Sequence, residues 1–347
     1  MPPISTPRYT NGKSEKMRVS RIVVSAISIA AASTILLSGC SSSGTPGNGS
    51  DSGKKSFNVY ALLPQGTDQP YGTTYLPPMK AQAAKDNIKL TITNSKYNAD
   101  QQASECDVAV AAKPDLIILW PAVGDTVRPC LAKAKAAGIP VTVTNSGLNK
   151  ADVPLSKGFS GPDTYGQGVA SAEIMCDITG GKDVGILVVN GLTGNSTATT
   201  RHDGFADTIA KKCPNVKVLA EQPGNWNKDD SKIAVSEMLT SVGADKVQGI
   251  YAADDTMVAG AIDALKARGI DPAPLYITSI GNTKLGNPLV VSGELDGTVF
   301  QSSSWDGQHA IDLANTVLTG GQAKDQLMPS VKVTKANASD PSVAPEW

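Results

Sequence analysis

Short apolar segments alternate with helical segments along most of this 347-residue chain, and this alternation most strongly constrains its fold. Runs such as 57–63 (FNVYALL), 114–121 (PDLIILWP) and 183–190 (DVGILVVN) have the length and composition of buried parallel strands. Alternating strands and helices predict parallel sheets with right-handed crossovers, and the series repeats before and after about residue 160. We therefore predict an α/β fold of two doubly wound parallel-sheet lobes.

The remaining elements follow from the same patterns. Further strands are predicted at 88–95, 139–146, 157–161, 216–222, 247–255, 275–281 and 297–303. Helices are predicted at 99–112, 126–137, 165–178, 229–242, 256–268 and 308–319, with one more following 183–190. The first helix is expected to start at Pro77 and Pro78, because proline suits the first turn, and to continue to Asn87.

The region from Met17 to Cys40 has the pattern of an export signal. Two arginines precede the apolar run 22–37, and the sequence LSGC ends at Cys40. LSGC resembles the bacterial lipobox, in which the cysteine is lipidated and becomes the first residue of the mature protein. We predict that residues 1–40 are a lipoprotein signal peptide, with Met17 as an alternative translation start. A secretory signal cleaved elsewhere and a short membrane anchor are the alternatives.

Residues 41–56 are rich in glycine and serine and predict a flexible tether. The remaining chain of about 290 residues is too long for one ordinary core, which agrees with two lobes. The formal net charge is −1, and no basic cluster with interleaved aromatic residues is present, so nucleic acid is not an expected partner. We expect a monomer that is anchored through lipid on Cys40 at the extracytoplasmic side of the cell membrane.

Five cysteines occur in the chain, and four are left once Cys40 carries lipid. An even number outside the cytosol indicates disulfides. Cys106 and Cys130 fall in two consecutive predicted helices, and so do Cys176 and Cys213. We predict the pairs 106–130 and 176–213, with buried free thiols as the alternative. The chain has no CxxC motif and only two histidines, so neither a metal site nor a cofactor is expected.

The segment 196–205 (STATTRHDGF) follows the predicted strand 183–190 and can begin a helix capped by its Ser/Thr run. Arg201 falls in the first turn, where a cation is unfavourable against the helix dipole. One interpretation is that Arg201 reaches into a crevice at the strand end and donates to ligand oxygens in a forked geometry. The other is a surface arginine in an ion pair, which the helix pattern alone favours.

Several motifs, in order and spacing, resemble the type I periplasmic-binding-protein family, the ribose-binding-protein-like sugar receptors of ABC transporters. They are LLPQGTDQPYG, AAKPDLIILWP, AAGIPVTVTNS, GPDTYGQGVASAEIM, NSTATTRHDGF, YAADDTMVAGAIDALKARG and GTVFQSSSWDGQHA. The resemblance covers nearly all of 57–335. It implies two lobes joined by a three-strand hinge, with 57–160 plus 302–328 in the first lobe and 161–301 plus 329–347 in the second. It also implies a ligand cleft between the lobes.

The family pattern, carried over residue by residue, implies a set of ligand-binding side chains near the ends of the predicted strands. These are Gln69, Tyr71, Trp120, Asn145, Ser146, Arg201, Trp226, Asp254, Asn282 and Gln301. Aromatic rings suit the apolar C–H faces of a sugar, whereas amides, a carboxylate and an arginine satisfy its hydroxyls. The implied ligand is a monosaccharide or a sugar alcohol.

Some of these residues have local alternatives, and the pattern departs from its ribose-specific form. Trp120 could pack in a core, and Asp254 could cap the helix that follows it. The ribose-specific pattern has an Asp-Arg pair where this chain has Asn145 and Ser146, and an Asp where it offers Asn282. Fewer charged hydrogen bonds are therefore available, and the resemblance does not imply ribose itself.

The resemblance implies a receptor that delivers its ligand to the transmembrane subunits of an ABC permease, and not an enzyme. The sequence has no GxSxG motif and no nucleophile close to a histidine. Two alternatives stay open. A lipoprotein that senses ligand for a membrane partner would share the fold and the pocket, and a secreted glycosidase could draw two carboxylates from Asp163, Asp254 and Asp306.

Overall fold

The computed structural model describes residues 55–347, which contain twelve strands and nine α-helices. The strands are β1 (Phe57–Leu63), β2 (Ile88–Asn94), β3 (Leu116–Leu119), β4 (Val141–Thr144), β5 (Phe159–Pro162), β6 (Val184–Asn190), β7 (Val216–Pro223), β8 (Gly249–Ala252), β9 (Tyr276–Thr278), β10 (Gly297–Phe300), β11 (Gln326–Met328) and β12 (Val331–Thr334). The helices are α1 (Pro70–Lys85), α2 (Ala99–Ala112), α3 (Arg128–Ala136), α4 (Thr164–Thr179), α5 (Ser196–Lys212), α6 (Lys228–Val242), α7 (Asp255–Ala267), α8 (Gly286–Ser292) and α9 (Ser303–Leu318). The predicted signal peptide, Cys40 and the tether up to residue 54 lie outside the described residues.

The strands form two six-stranded sheets with the same internal order. The first sheet runs β2-β1-β3-β4-β5-β11 and all its pairs are parallel. The second runs β7-β6-β8-β9-β10-β12 and is parallel except for the β10–β12 pair. In each sheet the first strand lies between the second and the third, which creates the switch point of a doubly wound sheet. The predicted α/β fold with two parallel-dominated sheets is confirmed.

Helices cover both faces of the first sheet, and this explains its continuous apolar strands. In β3, Leu116 and Ile118 pack with α1 and α9, whereas Ile117 and Leu119 pack on the other face with α2 and α3. All four side chains are fully buried. Burial of each such side chain contributes about 1.5–3 kcal/mol to stability. Because successive side chains of β3 point to opposite faces, this one strand stabilises the packing of helices on both sides of the sheet. The second sheet is built in the same way, with α4 and α5 forming one closely packed helix pair and α6 and α7 another.

The chain passes from one sheet to the other three times. It leaves the first sheet after β5, returns after β10 to form α9, and crosses again between β11 and β12. Helix α9 packs against α1 and against β5, so it belongs with the first sheet. The boundaries predicted for the two lobes stay a prediction about how the chain divides and moves.

The first helix differs from its prediction, since it begins at Pro70 and carries Pro77 and Pro78 inside it. Proline in a helix interior removes a backbone donor and is normally unfavourable. Here Pro70 occupies the first turn, and the helix buries Tyr75 and Met79 completely against the core. Tertiary packing of this face outweighs the local preference. The elements α8, β11 and β12 were not predicted, because they are only three to seven residues long.

Both predicted disulfides are present. Cys106 of α2 is bonded to Cys130 of α3, and Cys176 of α4 is bonded to Cys213, the residue that ends α5. Each bond therefore joins two neighbouring helices on one face of one sheet. The alternative of buried free thiols is wrong for these four residues.

Candidate ligand-binding site

A cavity lies between the two sheets, beyond the carboxyl ends of their strands, where doubly wound folds commonly bind ligands. It encloses about 630 Å³, counted with its opening to solvent. From the first-sheet side it is lined by Gln65, Gln69, Pro70, Tyr71, Tyr97, Trp120, Asn145 and Ser146. From the second-sheet side it is lined by Asn195, Thr197, Arg201, Trp226, Asp254 and Thr256, and Gln301 and Trp347 complete it.

Nine of the ten side chains predicted to bind ligand line this cavity, and Asn282 is the exception. Asn282 is buried, and its amide donates to the carbonyl of Val343 and accepts from the side chain of Asn287. Its backbone has a φ of 49°, and it follows Gly281, whose φ is 138°. This turn directs the Asn282 side chain away from the cavity. Ligand contact by the other nine residues stays a prediction.

Seven lining residues were not predicted: Gln65, Pro70, Tyr97, Asn195, Thr197, Thr256 and Trp347. Tyr97 could have been found, because it is an aromatic residue in a polar loop after β2, just as Tyr71 follows β1. Asn195 caps α5 by accepting from Ala198 N, a role that its position before a Ser/Thr run indicates. No sequence signal places Trp347 here, because it lies far along the chain from every other lining residue.

Three lining residues adopt the left-handed backbone conformation that non-glycine residues rarely use. Tyr97, Asn145 and Trp226 have φ values of 59°, 59° and 58°. This conformation costs roughly 1–2 kcal/mol for a residue with a Cβ atom. Each of the three directly follows a strand or lies in a loop after one, so the unusual backbone aims the side chain into the cavity. Backbone strain of this kind concentrates at functional sites.

Arg201 is buried, with 4% of its surface exposed, and most of its donors are already used. Its Nε and Nη2 both donate to Oε1 of Gln167, Nη2 also donates to Oε1 of Gln301, and Nη1 donates to the carbonyl of Ala253. A guanidinium has five N–H donors, so one N–H on Nη1 is left for a ligand. The surface ion pair considered for Arg201 is therefore wrong. The forked donation to ligand is also unavailable in this arrangement, because Gln167 occupies the fork.

Asp254 combines the two roles that the sequence left open. Its Oδ1 accepts from Met257 N at 2.8 Å and caps α7, and the residue also lines the cavity. Burial raises the pKa of Asp254 to about 7, although the backbone amide of Met257 and the charge of Arg201 act in the opposite direction. The carboxyl group can therefore change its protonation state near neutral pH.

Asp306 lies behind the cavity wall and holds two of the lining side chains. Its Oδ2 accepts from the Tyr71 hydroxyl and from the Asn145 amide, both at 2.7 Å, and Oδ1 accepts from the Thr144 hydroxyl at 3.3 Å. Asp306 is fully buried and forms no ion pair among the described residues. Burial raises its pKa to about 7, whereas the hydrogen bonds from Asn145 and Tyr71 lower it.

Trp226 is half-buried, lines the cavity and also packs against the core of the second sheet. The guanidinium of Arg201 lies 5.8 Å from the centre of its ring. On another side the ring lies so close to Gly191 that a Cβ atom there would be 2.1 Å from Cζ2 of the indole. Gly191 is therefore needed for this ring position.

Polar contacts connect the two sides of the cavity at the start of α5. They are Gly124 N to Gly194 O at 3.0 Å, Asn195 Nδ2 to Ala122 O at 3.0 Å, Ser196 Oγ to Gly147 O at 2.6 Å, and the hydroxyls of Ser146 and Thr197 at 2.9 Å. We call these four contacts the α5 latch. One partner of each contact comes from the loops after β3 and β4, and the other from the segment that starts α5. The latch therefore holds the two sides together in this conformation.

Three lining residues have a buried polar atom without a partner in the described residues. These atoms are Oε1 of Gln65, Nε1 of Trp120 and Nε1 of Trp226. A buried polar group without a hydrogen bond is costly, so one acceptor and two donors favour a polar ligand.

The site has the chemistry of a binding pocket. Among residues 55–347, no group of three or more His, Cys, Asp and Glu residues is arranged to hold a metal ion. Asp163 caps α4 and Asp306 lies outside the lining, so the described lining residues include one carboxylate, Asp254, where a glycosidase needs two. None of the helices in the described part of the chain is long and apolar enough to cross a bilayer.

Two parallel-dominated α/β sheets with a cavity at their facing strand ends are typical of solute-binding proteins. The chain matches the family described as the periplasmic binding protein domain over residues 60–322, and it belongs to this family. The members are extracytoplasmic solute-binding proteins and not enzymes.

Relatives agree with this assignment, and solved structures agree with the fold. The xylitol-binding protein of Mycolicibacterium smegmatis is 29% identical over 90% of this chain and 86% of its own. The D-apiose import binding protein of Actinobacillus succinogenes is 27% identical over 81% of this chain and 89% of its own. A galactofuranose-binding protein of known structure superposes with a TM-score of 0.76 at 24% identity, covering 82% of this chain and 96% of the other. The myo-inositol-binding protein of Caulobacter has the same TM-score and coverage at 20% identity.

Protonation of Asp306 is expected to make stability depend on pH. Its pKa is about 7 in the folded protein and about 3.9 in an unfolded chain. The folded state thus retains a proton that the unfolded state releases, so this stabilising contribution is complete below pH 4 and is lost as the pH rises to 7. Asp306→Asn stays neutral at every pH. Between pH 4 and 7.5, the free energy of unfolding of wild type should fall relative to this variant by up to roughly 4 kcal/mol.

Urea denaturation of both proteins at several pH values measures this difference. Asp312→Asn, on the same helix but half-exposed, is the matched control for the loss of a carboxylate from α9. A constant difference between wild type and Asp306→Asn across this range would show that Asp306 is ionised throughout.

Proposed function

We propose that this protein is the extracytoplasmic receptor of an ABC importer and that it binds a monosaccharide or a sugar alcohol in the cavity between its lobes. The observation that carries the proposal is a nearly neutral cavity in which aromatic rings alternate with amides and hydroxyls. Its relatives include proteins named for xylitol and D-apiose, which are polyhydroxylated and uncharged. Delivery of the ligand to a permease is part of the same proposal.

The charges of the site favour an uncharged ligand. Arg201 retains one free N–H, which suits a single hydroxyl or ring oxygen better than a phosphate or carboxylate. Asp254 would repel an anion when ionised and can accept from a hydroxyl. Tyr71, Trp120 and Trp226 provide apolar surface against which the C–H groups of a sugar or polyol can lie.

We further propose that the lobes, 57–160 plus 302–328 and 161–301 plus 329–347, close around the ligand. A ligand in the cavity would contact both sides, and the α5 latch forms only when they are close together. Ligand binding therefore favours the closed state by its greater affinity for that state. Gln301 follows β10, at a crossing between the sheets, and can contact the ligand from the hinge.

A thermal-shift screen of the purified full chain tests the proposed ligand class. The panel is xylitol, ribitol, myo-inositol, D-ribose and D-apiose, with succinate and ribose 5-phosphate as charged controls. A ligand that binds only the folded state adds about 2.7 kcal/mol at a concentration of 100 Kd, so an uncharged compound should raise the melting temperature in a dose-dependent manner. Stabilisation by the charged compounds alone would contradict the proposal. Uptake of the identified ligand that persists in cells lacking the protein would favour the sensor role.

Moving Trp226 without removing it should weaken ligand binding. Gly191→Ala places a methyl group about 2.1 Å from the Trp226 ring, so the ring must leave its position. Aromatic contacts contribute about 0.5–1.5 kcal/mol beyond the effect of the area they bury, so calorimetric titration should show affinity roughly two- to twelvefold lower. Gly147→Ala is the matched control, because a Cβ atom there meets no heavy atom within 4 Å and its latch contact uses the backbone carbonyl, which alanine retains. Equal affinities of Gly191→Ala and wild type would place the ligand away from Trp226.

We also propose that lipid on Cys40 holds the receptor at the membrane, as the sequence LSGC after an apolar run indicates. Metabolic labelling with a fatty-acid probe should mark wild type, and Cys40→Ala should remove the label and release the protein from membranes. Cys106 and Cys130 are bonded to each other, so Cys106→Ala/Cys130→Ala is a control that keeps the label. Undiminished labelling of Cys40→Ala would refute the anchor.

A further inference from the structure

The segment 341–347 connects the two sides of the cavity. Val343 is buried in the core of the second sheet, whereas Trp347 packs against the core cluster between the first sheet and its helices α1 and α9. The segment therefore passes from one side to the other close to Gln301, and Trp347 Nε1 donates to the Gln301 carbonyl at 3.2 Å. We call 341–347 the hinge strap.

Glu346 attaches the hinge strap to the start of α9. Its carboxylate accepts from the hydroxyls of Ser302, Ser303 and Ser304 and from the backbone N–H of Ser304. The first turn of a helix has free N–H groups and a positive dipole end, so a carboxylate is favourable there. Four hydrogen bonds to one side chain fix the position of the residue next to Trp347.

Asn282 and Lys284 attach the strap from the second-sheet side. The Asn282 amide donates to the Val343 carbonyl, and the Lys284 backbone N–H donates to the backbone oxygen of Trp347, both at 2.5 Å. Asn282 thus has a defined structural partner in place of the ligand contact that was predicted for it. The strap is held from both sides of the cavity.

These contacts place the Trp347 indole in the cavity wall. Its ring centre lies 4.9 Å from that of Tyr71, and the ring planes are 78° apart, which is an edge-to-face geometry. Tyr71 is itself fixed by hydrogen bonds to Asp306 and Gln301. The indole N–H is satisfied by the Gln301 carbonyl, so what the ring offers a ligand is apolar surface.

We propose that Trp347 contacts the ligand directly, as the hinge-side aromatic wall of the site, and that the hinge strap is the device that positions it. The inference rests on the proposed function, because an apolar ring surface beside hydroxyl-binding groups suits the C–H face of a sugar or polyol. The strap spans both sides, so the wall is complete only when the two sides have the relative position seen here.

Titration of variants tests ligand contact. Trp347→Ala and Trp347→Phe are compared with wild type in calorimetry with each panel compound that stabilises wild type: xylitol, ribitol, myo-inositol, D-ribose or D-apiose. Loss of the ring should weaken binding about tenfold or more, and phenylalanine should restore most of the affinity. Trp305→Phe is the matched control, because Trp305 is stacked on His309 and does not line the cavity. Glu346→Gln should weaken binding severalfold by releasing the strap, while keeping Trp347.

Tryptophan fluorescence provides a readout that a purely structural role would not change. Ligand contact should alter the emission of wild type, and Trp347→Phe should remove part of this response, whereas Trp305→Phe should keep all of it. Because Trp347→Phe preserves an aromatic ring, it remains informative if Trp347→Ala does not fold.

The outcomes separate the two proposals. If no panel compound binds wild type, the proposed ligand class fails and the inference fails with it. If a compound binds wild type and Trp347→Ala equally well, or if the fluorescence response of Trp347→Phe equals that of wild type, Trp347 is not part of the site and the ligand class stands.

Discussion

The buried guanidinium of Arg201 connects three parts of the structure that would otherwise be independent. It donates to Gln167 of α4, to the carbonyl of Ala253 after β8 and to Gln301 at the crossing to α9. A charge removed from water is tolerated only when such hydrogen bonds replace its hydration, so none of these partners can move away without a large cost. One wall of the cavity is therefore fixed before any ligand enters. Pre-organisation of this kind reduces the ordering cost of binding.

On the opposite wall a carboxyl group has the corresponding role. Asp306 holds Tyr71 and Asn145, and Gln301 donates to the same Tyr71 hydroxyl, so the two networks meet at one phenol. Tyr71 cannot act as an acid here, because burial and the nearby Asp306 both raise its pKa well above the usual value. It remains a neutral hydroxyl with an apolar ring, and the same holds for Tyr97, whose pKa burial raises to about 12. The first-sheet wall therefore presents fixed neutral groups, which suit the recognition of a neutral solute.

The sequence predicts the lining of the cavity well where strand ends determine it. Trp120, Asn145 and Asp254 directly follow or closely follow apolar strands, and parallel strands bring their carboxyl ends to a common edge. The prediction fails where a single backbone angle or a contact distant in sequence determines the position of a side chain. Asn282 has a positive φ after a glycine and points away, and Trp347 is delivered by a segment that shows no strand or helix periodicity. The start of α1 was predicted wrongly from Pro77 and Pro78 for a related reason. The packing free energy of the buried face of α1 exceeds the local free-energy cost of the two prolines in the helix.

Closure of the proposed receptor depends on the balance between the α5 latch and the ligand. The latch consists of four neutral hydrogen bonds, each with a net contribution of about 0.5–1.5 kcal/mol, and closing also removes polar groups from water. Such contacts are too weak to hold the lobes together irreversibly. The balance between the open and closed conformations therefore depends also on the unpartnered atoms of Gln65, Trp120 and Trp226. These three groups have no partner among the described residues, and the hydroxyls of a polyhydroxylated ligand would suit them. In the proposed receptor, a ligand that adds these hydrogen bonds would stabilise the closed state relative to the open one, which is the differential affinity that ligand-driven closure requires.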